Sequence, residues 1–382
     1  MSYFLSRQAA LKMLENPSVY QIARDELYEL DQESFRFLGA CAIGDGCEHA
    51  DSAFIDYCLE EGLLTRDRAD IARPLLTPSP EPSLRYLELQ ITDRCNLRCG
   101  HCYLGDGGNR DMPVALVRKV LREFEEMQGL RVLLTGGEPL LHSRFDEINE
   151  MLADFFLRRV LFTNGVLMTP ERLKRLKVHE LQVSIDGMRS AHDRLRGPGN
   201  WDRSMETLRQ AQDAGFDISV STMVTSLNLG DFDAMESLFR SLGVREWTVD
   251  APCPSGRLRE NADLLVSPET GGTFLGYGYG GGMHAPAAGY GCGVHLMAVF
   301  PDGKAAKCTF YGDRPVGTVE DGLRTCWELV RPVKLEDLEC SCEYRDVCRG
   351  GCRFRAEQDG NPAARDPYRC SLYGVIDRTD EP

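Results

Sequence analysis

The chain has 382 residues and a formal net charge of −15 at pH 7. That length suits two or three modules at about 150 residues each, and the acidic balance argues against a nucleic-acid or anionic-membrane binding face. No apolar run approaches the roughly 18 residues of a spanning helix. The amino-terminal run MSYFLSRQAALKMLEN lacks a signal-peptide core, so a cytoplasmic protein is expected. In a reducing compartment the fifteen cysteines point to metal rather than to disulfides.

The first module is expected to span 1–82. Residues 18–30 place two short apolar segments around Arg24-Asp25, the pattern of a hairpin with a polar turn. A helix is expected over 32–38. A second is expected over 50–62, with Asp51 or Ser52 as its cap and Gly62 at its end. Cys58 falls on the apolar face of that helix and reads as core. The proline-rich stretch 74–82 closes the module. Hairpin, helix, helix is a small winged-helix order. It resembles the PqqD-like peptide-recognition element fused to many enzymes that modify ribosomal peptides. The resemblance implies that a precursor's leader adds as a strand to a sheet edge. The alternative is a packing domain with no ligand.

Residues 83–253 alternate strand-like and helical patterns. Strands are expected at 86–92, 131–135, 160–163, 181–185, 217–223 and 246–250, with helices at 113–127, 145–156, 201–214 and 229–242. Repeated strand–helix units imply a parallel sheet whose ligands bind at the carboxyl ends of the strands. The motifs fall there. After the first strand comes Asp93-Arg-Cys-Asn-Leu-Arg-Cys-Gly-His-Cys-Tyr103, with three residues between Cys95 and Cys99 and two between Cys99 and Cys102. Three thiolates on a [4Fe–4S] cube leave one iron open, where the amine and carboxylate of S-adenosylmethionine (SAM) can chelate. A zinc knuckle would need a nearby fourth ligand, and the next cysteine is far away in sequence. Thr135-Gly136-Gly137-Glu138-Pro139 closes the second strand. Phe162-Thr163-Asn164-Gly165 closes the third. Ser184-Ile185-Asp186-Gly187 closes the fourth, followed by His192-Asp193 and Arg194-Leu195-Arg196-Gly197.

CNLRCGHCY resembles the signature of the radical SAM enzymes, and SxDG…HDxxRG resembles their peptide- and protein-modifying branch. The resemblance implies a partial (β/α)6 barrel and a SAM-binding cluster on Cys95, Cys99 and Cys102. It implies that Gly136, Gly137 and Glu138 meet the methionyl amino group, Glu138 by accepting from the ammonium. Asn164, Ser184 and Asp186 would line the pocket, and Arg196 would fork the SAM carboxylate. Arg196 and Asp193 as a mere surface pair is the alternative. Asn228 and Pro254-Ser255-Gly256-Arg257 also match family positions. His192 and His101 are tempting as acid–base groups, but His101, inside the cluster loop, is expected only to pack.

A connector spans 254–290 and includes the glycine-rich run Gly276–Gly282, read as a mobile loop near the substrate channel or as a flexible linker. In 291–382, Cys292 is followed after ten residues by Gly303 and after four more by Cys308. Cys340, Cys342, Cys348, Cys352 and Cys370 follow. This order resembles the SPASM domain, which implies two auxiliary [4Fe–4S] clusters. Cys292, Cys308 and Cys352 would hold the first, and Cys340, Cys342, Cys348 and Cys370 the second. A double zinc ribbon is the alternative. Only Ser341 separates Cys340 from Cys342, tighter than the family's usual spacing. The first set lacks a fourth ligand, for which Cys326, Cys253 or a substrate thiolate is open, the substrate thiolate being favoured.

The leading expectation is an α/β radical SAM oxidoreductase that matures a ribosomally made precursor peptide, most simply by a thioether crosslink. A flavodoxin or ferredoxin would reduce it, with neither nucleic acid nor membrane as partner. Sulfatase-maturase-like protein oxidation is a second reading, although Thr309 follows Cys308 where those enzymes carry a basic aspartate. Tetrapyrrole side-chain chemistry is a third. A non-catalytic electron carrier is the reading from another class.

Overall fold

The computed structural model describes residues 2–43, 46–47, 51–68, 71–282, 284 and 287–375. The outer ends of the first and last expected modules, Met1 and 376–382, lie outside the described residues.

The amino-terminal part begins with β1 (Phe4–Leu5), β2 (Ala9–Met13), β3 (Pro17–Gln21) and β4 (Glu26–Glu29). Strands β2, β3 and β4 form an antiparallel meander. Asp25 takes φ of 64° in the expected Arg24-Asp25 turn. Helices Gln32–Cys41 and Ser52–Glu60 follow, capped by Asp31 and Asp51. Then β5 (Leu64–Thr65) pairs with β1. The hairpin and both helices are where the periodicity put them. Strand β2 was not expected, because its Lys12 breaks the apolar pattern. Lys12 is 2% exposed and donates to the Gly129 carbonyl at 2.6 Å.

The barrel strands are β6 (Tyr86–Gln90), β7 (Arg131–Thr135), β8 (Arg158–Thr163), β9 (Glu180–Ser184), β10 (Asp217–Met223) and β11 (Glu246–Asp250). Each pairs in parallel with the next. This is the open six-unit arrangement that the alternation implied. Leu87, Leu89, Val132, Leu134 and Leu161 face the enclosing helices, which supply Val117, Val120, Leu121, Phe124 and Leu208 to one continuous core.

An open barrel leaves two edges with unpaired backbone groups, and both are covered. On one side β12 (Leu296–Val299) pairs in parallel with β6. It is followed by antiparallel β13 (Lys304–Ala306) and β14 (Gly317–Thr318). The cysteine-rich part therefore extends the barrel sheet and shares its core through Met297, Val299 and Leu323. On the other side Tyr279 exchanges backbone hydrogen bonds with Trp247 of β11. The glycine-rich run is thus a docked edge cover, not a free linker. Tyr277 and Tyr279 pack on Trp247, and Tyr277 also on Phe232, which secures it.

The meander closes the amino ends of the barrel strands. Arg158, fully buried, donates to the Ile22 and Ala23 carbonyls and pairs with Glu180 at 2.7 Å and Asp217 at 2.6 Å. Arg131 pairs with Asp25 at 2.5 Å, and Arg85 with Glu15 at 2.8 Å. With that end plugged by ion pairs, access to the barrel is from the carboxyl ends. No helix among the described residues is long and apolar enough to cross a membrane.

Candidate active site and iron–sulfur sites

A cavity of about 280 Å³ opens at the carboxyl ends of the strands. Cys95, Cys99 and Cys102 line it with Gly136, Gly137, Asn164, Ser184, Asp186 and Arg196. Residues from five separate loops and strands converge there because each follows or ends a strand of one parallel sheet. The two glycines are sterically required. A Cβ on Gly137 would meet the Arg94 carbonyl oxygen at 2.5 Å and the Cys95 Cβ at 2.9 Å. One on Gly136 would meet the Thr92 oxygen at 2.6 Å. The segment Ser255–Arg257 braces the cysteine loop from outside, since Arg257 N–H donates to the Cys102 carbonyl at 2.9 Å and its guanidinium to the Cys99 carbonyl at 3.2 Å.

Glu138 departs from expectation. It is fully buried beneath the cavity, with its carboxylate turned to Thr163 Oγ1 at 2.9 and 3.0 Å and to Asn164 N at 2.9 Å. It ties the ends of β7 and β8 together and is not among the residues that line the cavity. Burial pushes its pKa up to about 7 against those donors. Asn164 is on the wall, held by Asn96 at 3.0 Å.

Arg196 is committed to Asp186, donating from Nε at 2.5 Å. Its Nη1 stands 3.9 Å from Cys99 Sγ. A fork onto a ligand carboxylate would use what remains of the guanidinium. His101 does more than pack. Its Nε2 lies 3.0 Å from Asp186 Oδ2, and its buried Nδ1 has no partner among the described residues. Burial opposes ionisation of Asp186, but Arg196 and His101 hold its carboxyl far below the usual range. The position of His101 between two cluster cysteines was the signal that it belongs at the strand ends. His192 sits behind the wall, its Nδ1 accepting from Asp186 N–H at 3.2 Å, and burial lowers its pKa to about 4. Asn228 ties the Asp186 and Met223 carbonyls together.

Glu88, Tyr103, Thr309 and Phe310 also line the cavity, and the motifs named none of them for that role. Thr309 N–H donates to Glu88 at 3.0 Å. Burial pushes the Glu88 pKa up to about 7.

Two further groups of thiols lie in the carboxy-terminal part. Cys340, Cys342, Cys348 and Cys370 surround one cavity of about 140 Å³, so a single-residue spacer at Ser341 does not keep its neighbours apart. Arg365 and Arg369 line it too, bringing positive charge beside the four thiols. The second group is Cys292, Cys308 and Cys352, whose thiols interact with one another. Cys253 joins it: its thiol is within hydrogen-bonding reach of Cys352, and Arg355 donates to its sulfur at 3.7 Å. Cys326 packs elsewhere, donating to the Thr318 carbonyl at 3.2 Å. Among the described residues no three His, Cys, Asp or Glu side chains close on a single metal ion.

Fold and site together define a partial barrel with three thiols gathered in one cavity at the carboxyl ends of its strands. The family model "Radical SAM superfamily" matches residues 89–239. Mycofactocin maturase MftC of Mycobacterium ulcerans is 30% identical over 328 residues, 76% of this chain and 88% of that protein. The AdoMet-dependent heme synthase of Nitratidesulfovibrio vulgaris is 26% identical over 350 residues, 76% of this chain and 93% of that one. Streptococcus suis SuiB bound to precursor peptide SuiA shares the fold with a TM-score of 0.70 at 16% identity, over 95% of this chain and 98% of that one. The chain belongs to the radical SAM superfamily and is an enzyme. A [4Fe–4S] cluster and SAM go with that family, and the three thiols, the glycine cradle and the cavity fit them.

Proposed function

We propose that this enzyme matures a ribosomally made precursor peptide, forming a thioether between a cysteine sulfur and a carbon. When bound, a cluster on Cys95, Cys99 and Cys102 together with SAM would supply a 5′-deoxyadenosyl radical: one hydrogen atom would leave the peptide carbon as 5′-deoxyadenosine forms, the cysteine thiol would give up its proton as the sulfur–carbon bond closes, and the remaining electron would pass to an auxiliary iron–sulfur cluster. Gly136 and Gly137 let the backbone approach SAM. Asn164 and Ser184 line its pocket, and Asp186 orients Arg196 beside it. The relationship that carries the reading is the one to mycofactocin maturase, at 30% identity over 88% of that protein. The shared fold with SuiB in its precursor-peptide complex supports it.

The front module binds the leader in this reading, as a PqqD-like element. Strand β4 is an edge strand of the meander, and Tyr57 of the helix Ser52–Glu60 stands 47% exposed beside Tyr28 of that strand, with ring centroids 6.2 Å apart. An edge strand beside an exposed aromatic suits strand addition. The carboxy-terminal part serves as a SPASM domain with two auxiliary [4Fe–4S] clusters. Cys340, Cys342, Cys348 and Cys370 hold one. Cys292, Cys308, Cys352 and Cys253 hold the other, which leaves the substrate thiol free of that duty. The reductant is a flavodoxin or ferredoxin.

The test is anaerobic reconstitution with iron and sulfide, then SAM, a reductant and a candidate precursor peptide, read by mass spectrometry. A peptide lighter by two hydrogens together with 5′-deoxyadenosine is expected. The likeness to the heme synthase favours tetrapyrrole side-chain chemistry as a second reading. A modified tetrapyrrole and an unchanged peptide would establish that reading instead.

A further inference from the structure

A second cavity, of about 340 Å³, lies beside the first. The two share Tyr103, Leu104, Thr309 and Phe310. The rings of Tyr103 and Phe310, with centroids 5.5 Å apart, line both cavities. Gln90, the last residue of β6, lines the second cavity. It is 1% exposed. Its Nε2 donates to Asp93 Oδ1 at 3.0 Å, while its Oε1 has no partner among the described residues. A buried acceptor in that state favours any ligand that brings a donor.

The lining separates ligand classes. Asp93, Asp302 and Asp313 balance Arg110, Arg259 and Lys304, and Asp302 is paired with both Arg110 at 3.4 Å and Lys304 at 2.8 Å. A tetrapyrrole, with its several carboxylates, would call for a basic excess. The wall is aromatic instead, from Phe300, Phe310 and Phe354. Backbone N–H groups and an apolar side chain match such a surface.

We propose that this cavity is a substrate subsite, in which an extended stretch of peptide next to the reacting residue donates a backbone N–H to Gln90 Oε1 and seats an apolar side chain against Phe300 and Phe310. The subsite rests on the peptide-maturase reading and adds to it the path into the reaction cavity and the side-chain class selected next to the reacting residue.

Two measurements on the cluster-loaded enzyme test it. The first uses a precursor peptide that the wild type modifies, carrying benzophenone beside the modified residue. Irradiation is expected to label fragments containing Tyr103, Phe300 or Phe310, and labelling confined to other parts of the chain overturns the subsite. In the second, Gln90→Met is expected to raise the peptide KM about fivefold, the effect of one lost hydrogen bond, with kcat within about twofold. Wild-type constants in Gln90→Met overturn the subsite alone. A wild-type enzyme that makes 5′-deoxyadenosine but leaves every precursor peptide unchanged overturns the maturase reading and the subsite with it.

Discussion

Arg196 Nε donates to Asp186 Oδ2 at 2.5 Å, and the pair joins the end of β9 to the helix Arg189–Arg196 directly beside Cys99. Arg196 is a positive charge held next to the Cys99 sulfur, and Asp186 is the group that holds it there. Replacing Asp186 by Asn leaves a buried guanidinium without its counter-charge. We expect Asp186→Asn to lower the rate of 5′-deoxyadenosine formation about 100-fold, as displaced catalytic geometry does. It should also cost about 3 kcal/mol of stability. Chromatographic assay of 5′-deoxyadenosine and thermal unfolding check the two effects.

The juxtaposition of Cys253 with Cys352 makes a prediction about iron. Three [4Fe–4S] clusters correspond to about 12 irons per chain. Cys253→Ser should bring reconstituted protein towards about 8, while Cys326→Ser should leave the count at the wild-type value. Iron and labile sulfide analysis with electron paramagnetic resonance of the reduced protein would check this. Equal iron in the two variants would mean that Cys253 is not a ligand.

Gly137 tests the steric reading of the cradle. Its Cβ would fall 2.5 Å from a backbone oxygen of the cluster loop, which cannot swing aside as a side-chain end can. Gly137→Ala is expected to reduce SAM cleavage by about 100-fold, with the loss visible in SAM binding by calorimetry. Binding at wild-type affinity would show that the loop yields.

Glu15 links the front module to the barrel and makes stability pH-dependent. Burial opposes its ionisation, but the Ser83 N–H and Arg85 outweigh burial and lower its pKa to about 2 from an ordinary 4.5. A depressed acid stabilises the fold fully above its unfolded pKa and loses that contribution as pH falls through the folded one. The stability gap between wild type and Glu15→Gln should therefore be constant above about pH 5 and close between about pH 4.5 and 2. Urea unfolding at stepped pH would measure it. A gap that widens on acidification would contradict the assignment.

If the front module reads a leader along β4, the exposed ring of Tyr57 lies on its path. Tyr57→Asp should raise KM for the full precursor about tenfold while leaving KM for a leaderless peptide unchanged, consistent with losing an aromatic contact at an interface. Equal effects on both peptides would place Tyr57 outside leader binding.

The amino-acid sequence alone determined the barrel and the three thiols gathered at the carboxyl ends of its strands. The six strands and the Cys95, Cys99 and Cys102 loop are local signals: period-two and helical hydrophobic patterns, and a motif whose spacing is its function. Cys340, Cys342, Cys348 and Cys370 also meet around one cavity, although a single residue separates the first two. Tertiary structure decided what depends on contacts between distant segments. Lys12 looks like a solvent residue until Gly129, more than a hundred positions away, supplies its carbonyl. Glu138 reads as a ligand-facing acid until β8 folds alongside and takes its carboxylate. Cys253, isolated in the chain, becomes the neighbour of Cys352 only when β11 and the cysteine-rich part pack together. Periodicity records which way a side chain faces along its own element. It holds no information on which partner will stand opposite, and for a buried charge or a lone thiol the partner decides the chemistry.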